Sequence, residues 1–462
     1  MRLLRTLPLL LLACAVLAAP AHASKSQEVT FEAPRDLLDP AHRDAAFGEL
    51  DSLGVRSLRV VLYWHDVAPA ARSRVKPKFD ATDPAAYDWS KYDPVLEGAK
   101  ARGWNVQLTV SGPVPRWGTN GARDTVTYPR TKEFKLFMTA VARHYGDEVT
   151  RWSIWNEPNH PAFLRPQFGR HRKAVSPRVY RGLYSAALRG LAAAGDRKPV
   201  LMGETAPMGT GRDVAPLRFL RGALCLNGRY KRSGKCKRLR VDGFAHHAYT
   251  TRKGPLYKPR GRDNVTIGVL SRLTRALDRA ARARVVKRRL PIYLTEFGIQ
   301  SRPDPLYGVS LQRQAEYRSI AERIAYDNPR VRAFSQYLLR DDRPVAHVSR
   351  LARYGGFESG LRTSGGKAKP ALAGFRLPLA GYRRGSRVSL WGLVRPATGA
   401  TKVVLQQHDR KRKWKTVATL TTNSRGYWRR GVRFRTGRAW RVRWVSAAGK
   451  TYTGPATRAY RR

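Results

Sequence analysis

Between Glu28 and Leu338 the sequence alternates short apolar runs of strand length with amphipathic runs of helical length, and this constrains the fold more than any other feature. Repeated strand-helix alternation is the pattern of a parallel α/β domain, because parallel neighbours need a long crossover that is usually helical. The strands are expected at Val29–Phe31, Ser57–Tyr63, Trp104–Thr109, Arg151–Trp155, Pro199–Gly203, Val241–Tyr249, Pro291–Thr295 and Val331–Leu338. Helices are expected at Ala41–Leu53, Tyr92–Ala101, Thr131–His144, Arg178–Ala193, Thr266–Ala283 and Leu311–Asp327. Ser176-Pro177 supplies an N-cap and a first-turn proline for one helix, and Ser310 caps another.

Two of these strands end in a glutamate. Trp152-Ser153-Ile154-Trp155-Asn156-Glu157-Pro158 is a buried-strand pattern halted by proline, which delivers Asn156 and Glu157 to the carboxyl end; Leu290 to Gly298 does the same for Glu296. Paired carboxyls suit sugar chemistry, one donating a proton to a leaving oxygen and the other attacking or assisting attack. A neighbouring amide can hydrogen-bond a sugar hydroxyl. Alone, either strand end also reads as an ordinary terminus.

Taken together, Trp155-Asn156-Glu157-Pro158 and Thr295-Glu296-Phe297-Gly298 resemble the strand-4 and strand-7 signatures of glycoside hydrolase clan A, nearest its families 39 and 5. The similarity runs from about Glu28 to Asp342. It implies a (β/α)8 TIM barrel and hydrolysis with retention, with Glu157 as general acid/base, Glu296 as nucleophile and Asn156 on the sugar 2-hydroxyl. It also gives Arg59 a role as holder of the nucleophile's carboxylate; otherwise Arg59 is a strand-end arginine reaching solvent, since burying it unpaired would cost several kcal/mol. His247 and Tyr249 share one face of their strand, His246 the other. By the resemblance, His247 would contact substrate or acid/base and Tyr249 would hydrogen-bond Glu296. Burial and a neighbouring negative charge are expected to raise the pKa of Glu157, while Arg59 and Tyr249 favour charge on Glu296.

Further candidates sit on loops. Trp64 is either a sugar-stacking ring or a cap on the barrel mouth, and Trp117, on a turn stiffened by Pro and Gly, is a second substrate-binding candidate. Many members of the clan carry a tryptophan on the eighth strand; this chain has Gln336-Tyr337, which makes Tyr337 the substitute platform. Glu204, a third strand-end carboxylate without the flanking family pattern, is expected to be a substrate or structural contact. Neither a cofactor nor a metal ion is expected.

The termini differ from this pattern. Arg2 and Arg5, the apolar run Leu7 to Ala19 and Ala21-His22-Ala23 form a secretory signal over 1–23, and the protein is expected to be secreted. Cys14, in Leu11-Leu12-Ala13-Cys14, would otherwise offer a lipid anchor. No stretch reaches about 18 uninterrupted apolar residues, so no transmembrane segment is expected. The other two cysteines, Cys225 and Cys236, close a short basic loop and are expected to form a disulfide in an oxidising compartment. The barrel is assigned 24–350, and 351–380 is a linker or last barrel segment in which helical periodicity does not return. Short strands from Arg387 then read as a small all-β sandwich over 381–462, similar to the immunoglobulin-like modules of secreted bacterial proteins.

Charge is the remaining signal. The chain carries 89 Lys and Arg against 33 Asp and Glu, a formal charge of +56. Such a field favours an anionic cell-wall polymer or acidic polysaccharide as partner of the C-terminal module, where Asp409 is the one acid after Arg376. Biased composition is the alternative. No zinc-finger spacing, RNP-like motif or helix-turn-helix marks a specific nucleic-acid binder. The expected function is thus hydrolysis of the O-glycosidic bonds of a carbohydrate, against two rivals: a barrel that binds sugar without turnover, and a polyanion-binding surface protein.

Overall fold

The structure, a computed structural model, describes residues 27–396, 399–410 and 413–461; the expected secretory signal over 1–23 and the alternative anchor at Cys14 lie outside them. The strands β1 (Glu28–Glu32), β2 (Ser57–Tyr63), β3 (Asn105–Ser111), β4 (Arg151–Ile154), β5 (Val200–Thr205), β6 (Gly243–His247), β7 (Ile292–Glu296) and β8 (Val331–Tyr337) form a closed parallel barrel in chain order. Closure is made by β1 on β8, in register from Glu28↔Ala333 to Glu32↔Tyr337.

Side-chain alternation decides what each face of the barrel holds. On β2, Leu58, Val60 and Leu62 join the apolar cluster shared with the helices, while Ser57 and Arg59 between them point into the barrel. The interior of β3 and β4 is likewise polar, with Gln107, Thr109 and Ser153 all buried. These inward positions form the floor of the site.

Helices Arg43–Ser52, Asp93–Ala101, Thr131–Tyr145, Ser176–Ala193, Pro216–Ala223, Ser271–Arg282, Leu311–Tyr326 and Pro370–Arg376 follow the eight strands in turn. Two of them correct the sequence reading. Pro216–Ala223 and Pro370–Arg376 have eight and seven residues, too few turns to show a clear apolar period. The second lies in the segment read as either a loop-rich linker or the last barrel helix region, and it carries proline in its first turn.

Where the sequence pattern shows five strands, at 388–393, 402–407, 414–420, 427–434 and 440–445, the β domain has eight among the described residues: β9 (Leu379–Arg384), β10 (Arg387–Leu393), β11 (Lys402–Asp409), β12 (Lys415–Thr421), β13 (Tyr427–Arg433), β14 (Arg438–Val445), β15 (Thr451–Thr453) and β16 (Thr457–Tyr460). Their order is β12-β11-β14-β16-β9-β10-β13, with β15 on β14. Val388 and Leu390 from one half meet Val403, Leu405, Trp440 and Val442 from the other in one apolar core, as in a sandwich.

This domain is fastened to the barrel rather than strung from it. Trp391, Leu393 and Tyr427 belong to the barrel's own apolar cluster, and Tyr427 stacks on Tyr326 with ring centroids 4.5 Å apart. Arg323 donates to the Ala380 and Ser389 carbonyls at 3.0 and 2.6 Å. Glu322, buried at the seam, accepts from Arg318 of its own helix and from Arg395 of the β domain. Buried ion pairs and apolar contact thus meet at one seam between the two units.

Cys225 and Cys236 are joined by a disulfide. Cross-linking residues eleven apart restricts the unfolded chain, so Cys225→Ser is expected to lower stability by about 2–3 kcal/mol. Urea denaturation with and without reductant checks this: reductant should remove the difference between variant and wild type.

Candidate active site

The site is built where β4, β5, β6 and β7 end. The chain turns sharply out of β4, with Trp155 at φ 69° and Glu157 at φ 36°, and Glu204 near the end of β5 has φ 47°. Non-glycine residues in the left-handed region carry strain that the surroundings must offset. Here the Trp155 amide donates to Val110 O at 2.9 Å, the Asn156 amide to Ser111 Oγ at 3.0 Å and the Glu157 amide to Glu204 O at 3.0 Å.

Arg59 is the centre of charge. It is 1 % exposed, and its guanidinium donates through Nη1 to Glu296 Oε1 at 2.7 Å and to Glu32 Oε2. Through Nη2 it donates to Asn156 Oδ1 at 2.7 Å and Glu204 Oε2 at 2.8 Å. Reaching solvent is therefore not its role. Four acceptors from four segments are held by one planar fork, which lysine could not do.

His247 is the second centre. Its Nδ1 lies 2.8 Å from Glu157 Oε1 and 3.5 Å from Glu296 Oε2, and its Nε2 lies 2.8 Å from Glu204 Oε2. Tyr249, just past the end of β6, donates its hydroxyl to Glu296 Oε2 at 3.0 Å. Oxygens of Glu157 and Glu296 and a nitrogen of His247 all lie within 4.8 Å of one another. A cation could bridge such a trio, but these atoms are already committed to one another, and Arg59 supplies the positive charge beside Glu296.

The proton affinities differ from expectation. Burial pushes Glu157 up, but the hydrogen bond and charge of His247 outweigh it and hold the carboxyl below its usual range, which overturns the expected rise. Glu204 is pulled down to about 2 because Arg59 and His247 outweigh its burial. His247 is lifted to about 10, its burial overcome by the charge of Glu296 and the hydrogen bonds to Glu157 and Glu204. Burial, aided by Glu296 and opposed by Arg59, drives Glu32 up to about 8. The proton expected on Glu157 is thus drawn toward His247.

The remaining candidates divide. Trp64 and Trp117 are 0 % and 1 % exposed; Trp64 stacks on Phe137 at 5.0 Å and meets Trp117 edge-on at 5.6 Å. Both rings are used in packing, which corrects their assignment as substrate-binding surfaces and, for Trp64, favours the alternative of a cap. Tyr337 lines a cavity of about 540 Å³ together with Glu32, Arg59, Tyr63 and Phe163. His246 is spent on structure, hydrogen-bonding Thr205 Oγ1 and Val265 O, each at 2.8 Å.

Glu32 was not placed in the cluster from the sequence, and Glu204 was placed there only as a substrate or structural contact. Glu32 is a strand-end acid like the others, but its strand is short and its partner is 27 positions away. Glu204 has no flanking motif; its signal is the polar set Gln107, Thr109, Ser153 and Thr295, all of which donate to it.

No family model matches the sequence, and no curated protein matches it. Solved structures do share the fold. A GH39 enzyme from Xanthomonas axonopodis pv. citri superposes with a TM-score of 0.52 at 16% identity, covering 93% of this chain and 94% of that one. A glucosidase from Croceicoccus marinus gives 0.53 at 12% identity, over 92% and 96%. A monomeric beta-xylosidase from Caulobacter crescentus CB15 gives 0.51 at 14% identity, over 94% and 97%. The likeness spans barrel and β domain together.

Proposed function

We propose that this protein is a secreted retaining glycoside hydrolase. One observation carries the reading: two carboxyls within 4.8 Å of each other, one clamped by a guanidinium and a phenol, the other hydrogen-bonded to an imidazole. That separation suits direct attack on the sugar, for which about 5–5.5 Å is typical, and leaves no room for the water an inverting enzyme needs. Glu296 attacks the anomeric carbon, Glu157 protonates the departing oxygen, and water then hydrolyses the glycosyl ester with Glu157 as base. Asn156, fixed by Arg59, is placed for the sugar 2-hydroxyl, and Tyr337 for the sugar in the adjoining cavity.

The N-terminal signal supports export, and the basic β domain supports retention on an acidic polymer outside the cell. Arg384, Arg387 and Arg433 are exposed cross-strand neighbours on β9, β10 and β13, an arrangement that repels itself until an anion screens it.

Since proteins of this fold include a xylosidase and a glucosidase, nitrophenyl xylosides and glucosides head the substrate panel. Hydrolysis of at least one glycoside is expected, with the product's anomeric configuration retained when read by proton NMR. Inversion would overturn the mechanism; binding of sugar without turnover of any member would favour the non-catalytic rival.

A further inference from the structure

Glu204 is 0 % exposed and accepts from six side chains, three on each oxygen. Gln107, Thr109 and Ser153 donate to Oε1 at 3.0, 3.3 and 2.5 Å. Arg59 and Thr295 donate to Oε2 at 2.8 and 2.9 Å, and His247 Nε2 lies 2.8 Å from the same atom. A carboxylate has about four lone-pair positions, so with a guanidinium on one oxygen no place remains for a proton of its own. The proton of the Nε2 contact must therefore sit on His247.

That assignment fixes the other nitrogen's chemistry. His247 Nδ1 faces Glu157 Oε1 at 2.8 Å. Without a proton between them, a nitrogen lone pair would oppose a carboxylate lone pair, which no buried pair at that distance sustains. Three groups in a row, Glu157, His247 and Glu204, thus hold two protons.

We propose that Glu204 is a positioning residue: by holding His247 as the Nε2–H form, it makes Glu157 and His247 share across their hydrogen bond the proton that the leaving group takes. The inference rests on the glycosidase reading and deepens it. As Glu296 bonds to the anomeric carbon, the glycosidic bond breaks with its electron pair on the leaving oxygen. That oxygen takes the proton from Glu157, which draws it from the shared bond and leaves His247 neutral. In the second step water adds hydroxyl to the anomeric carbon and gives its proton to Glu157. The ester bond breaks with its pair returning to Glu296, and the shared proton is restored. Glu204 keeps its negative charge throughout, so each transfer occurs beside a fixed charge instead of reorganising water.

The groups around the imidazole are Glu32 from β1, Arg59 from β2, Glu157 after β4, Glu204 from β5, its neighbour His246 and Tyr249 beyond β6, and Glu296 from β7. All but Glu204 remain in Glu204→Gln, whose side chain can donate to Nε2 and so release the other tautomer. With a glycoside whose leaving group needs a proton, kcat/KM is expected to fall roughly 100-fold, the lower end of what general acid catalysis supplies. With the dinitrophenyl glycoside, whose leaving group departs unprotonated, the change should stay within about fivefold. Equal losses on both substrates would mean a merely structural contact, and no loss on either would mean that the residue is not used; each overturns the proposal.

A second measurement needs no variant. In the full wild-type chain labelled with 15N-histidine, His247, assigned against His247→Gln, should keep its proton on Nε2 at pH 8, with Nδ1 in the shared hydrogen bond to Glu157. A His247 that carries no proton on Nε2 at pH 7 to 8 overturns the proposal even if Glu204→Gln does not fold. Wild-type protein that hydrolyses no glycoside but shows the expected His247 spectrum would instead sink the glycosidase reading and leave the tautomer assignment standing.

Discussion

Glu296→Gln is expected to lower turnover at least ~10⁴-fold on every glycoside that the wild type cleaves, dinitrophenyl glycosides included. The amide has the shape of the carboxyl; its oxygen can still accept from Arg59, which approaches Oε1 at 2.7 Å, and its NH2 can donate to the Tyr249 hydroxyl, which lies 3.0 Å from Oε2. What it lacks is the lone-pair basicity to form an ester with the anomeric carbon. Because glutamine leaves the surroundings in place, the thermal midpoint should move by only a few degrees. Steady-state kinetics beside a melting curve check both parts. Full activity in Glu296→Gln would remove the nucleophile assignment, and with it the double displacement.

Arg59→Met should give the largest change in stability of any single substitution in the barrel. Its guanidinium is the shared counter-ion of Glu32, Glu204 and Glu296, none more than 8 % exposed. Removing one partner of a buried ion pair typically costs about 3–5 kcal/mol because the other charge is left uncompensated. Three carboxyls lose theirs here, and activity should vanish as well, since Glu296 and Asn156 lose their anchor. The loss has a pH signature. Without Arg59 the buried carboxyls bind protons more tightly in the folded than in the unfolded chain, as Glu32 already does at about 8. A group with a raised folded pKa contributes stability that is complete below its unfolded value, near 4.3, and is lost as pH rises toward the folded value. Urea denaturation should therefore show the smallest deficit near pH 4 and the largest near pH 8. A deficit independent of pH would mean that packing, rather than charge, is what Arg59 supplies.

The reach of sequence reasoning is clearest by comparing residues of one type. Glu157 and Glu296 were legible because each ends an apolar strand inside a recognisable motif. Glu204 ends a strand as well, but what makes it an anion, and hence able to orient His247, is six donors drawn from β2, β3, β4, β6 and β7. Trp64 and Trp117 show the opposite failure. An aromatic ring after a strand reads the same whether it lies under a sugar or under Phe137, and only packing distinguishes the two. The short helices and strands Pro216–Ala223, Pro370–Arg376, β9, β15 and β16 were missed because a few residues cannot express a period.

Local pattern alone determined that strands and helices would alternate, that His247 and Tyr249 would share one strand face, and that two glutamates would stand at strand ends. Such features depend on residues a few positions apart, where backbone geometry sets which side chains share a face. Proton placement was settled by the folded barrel. The state of Glu157 depends on His247, ninety positions away, and the anchoring of Glu296 on Arg59, 237 positions away. Interactions of that kind act through space at a few ångströms, so they exist only once the closed barrel has brought the strand ends together.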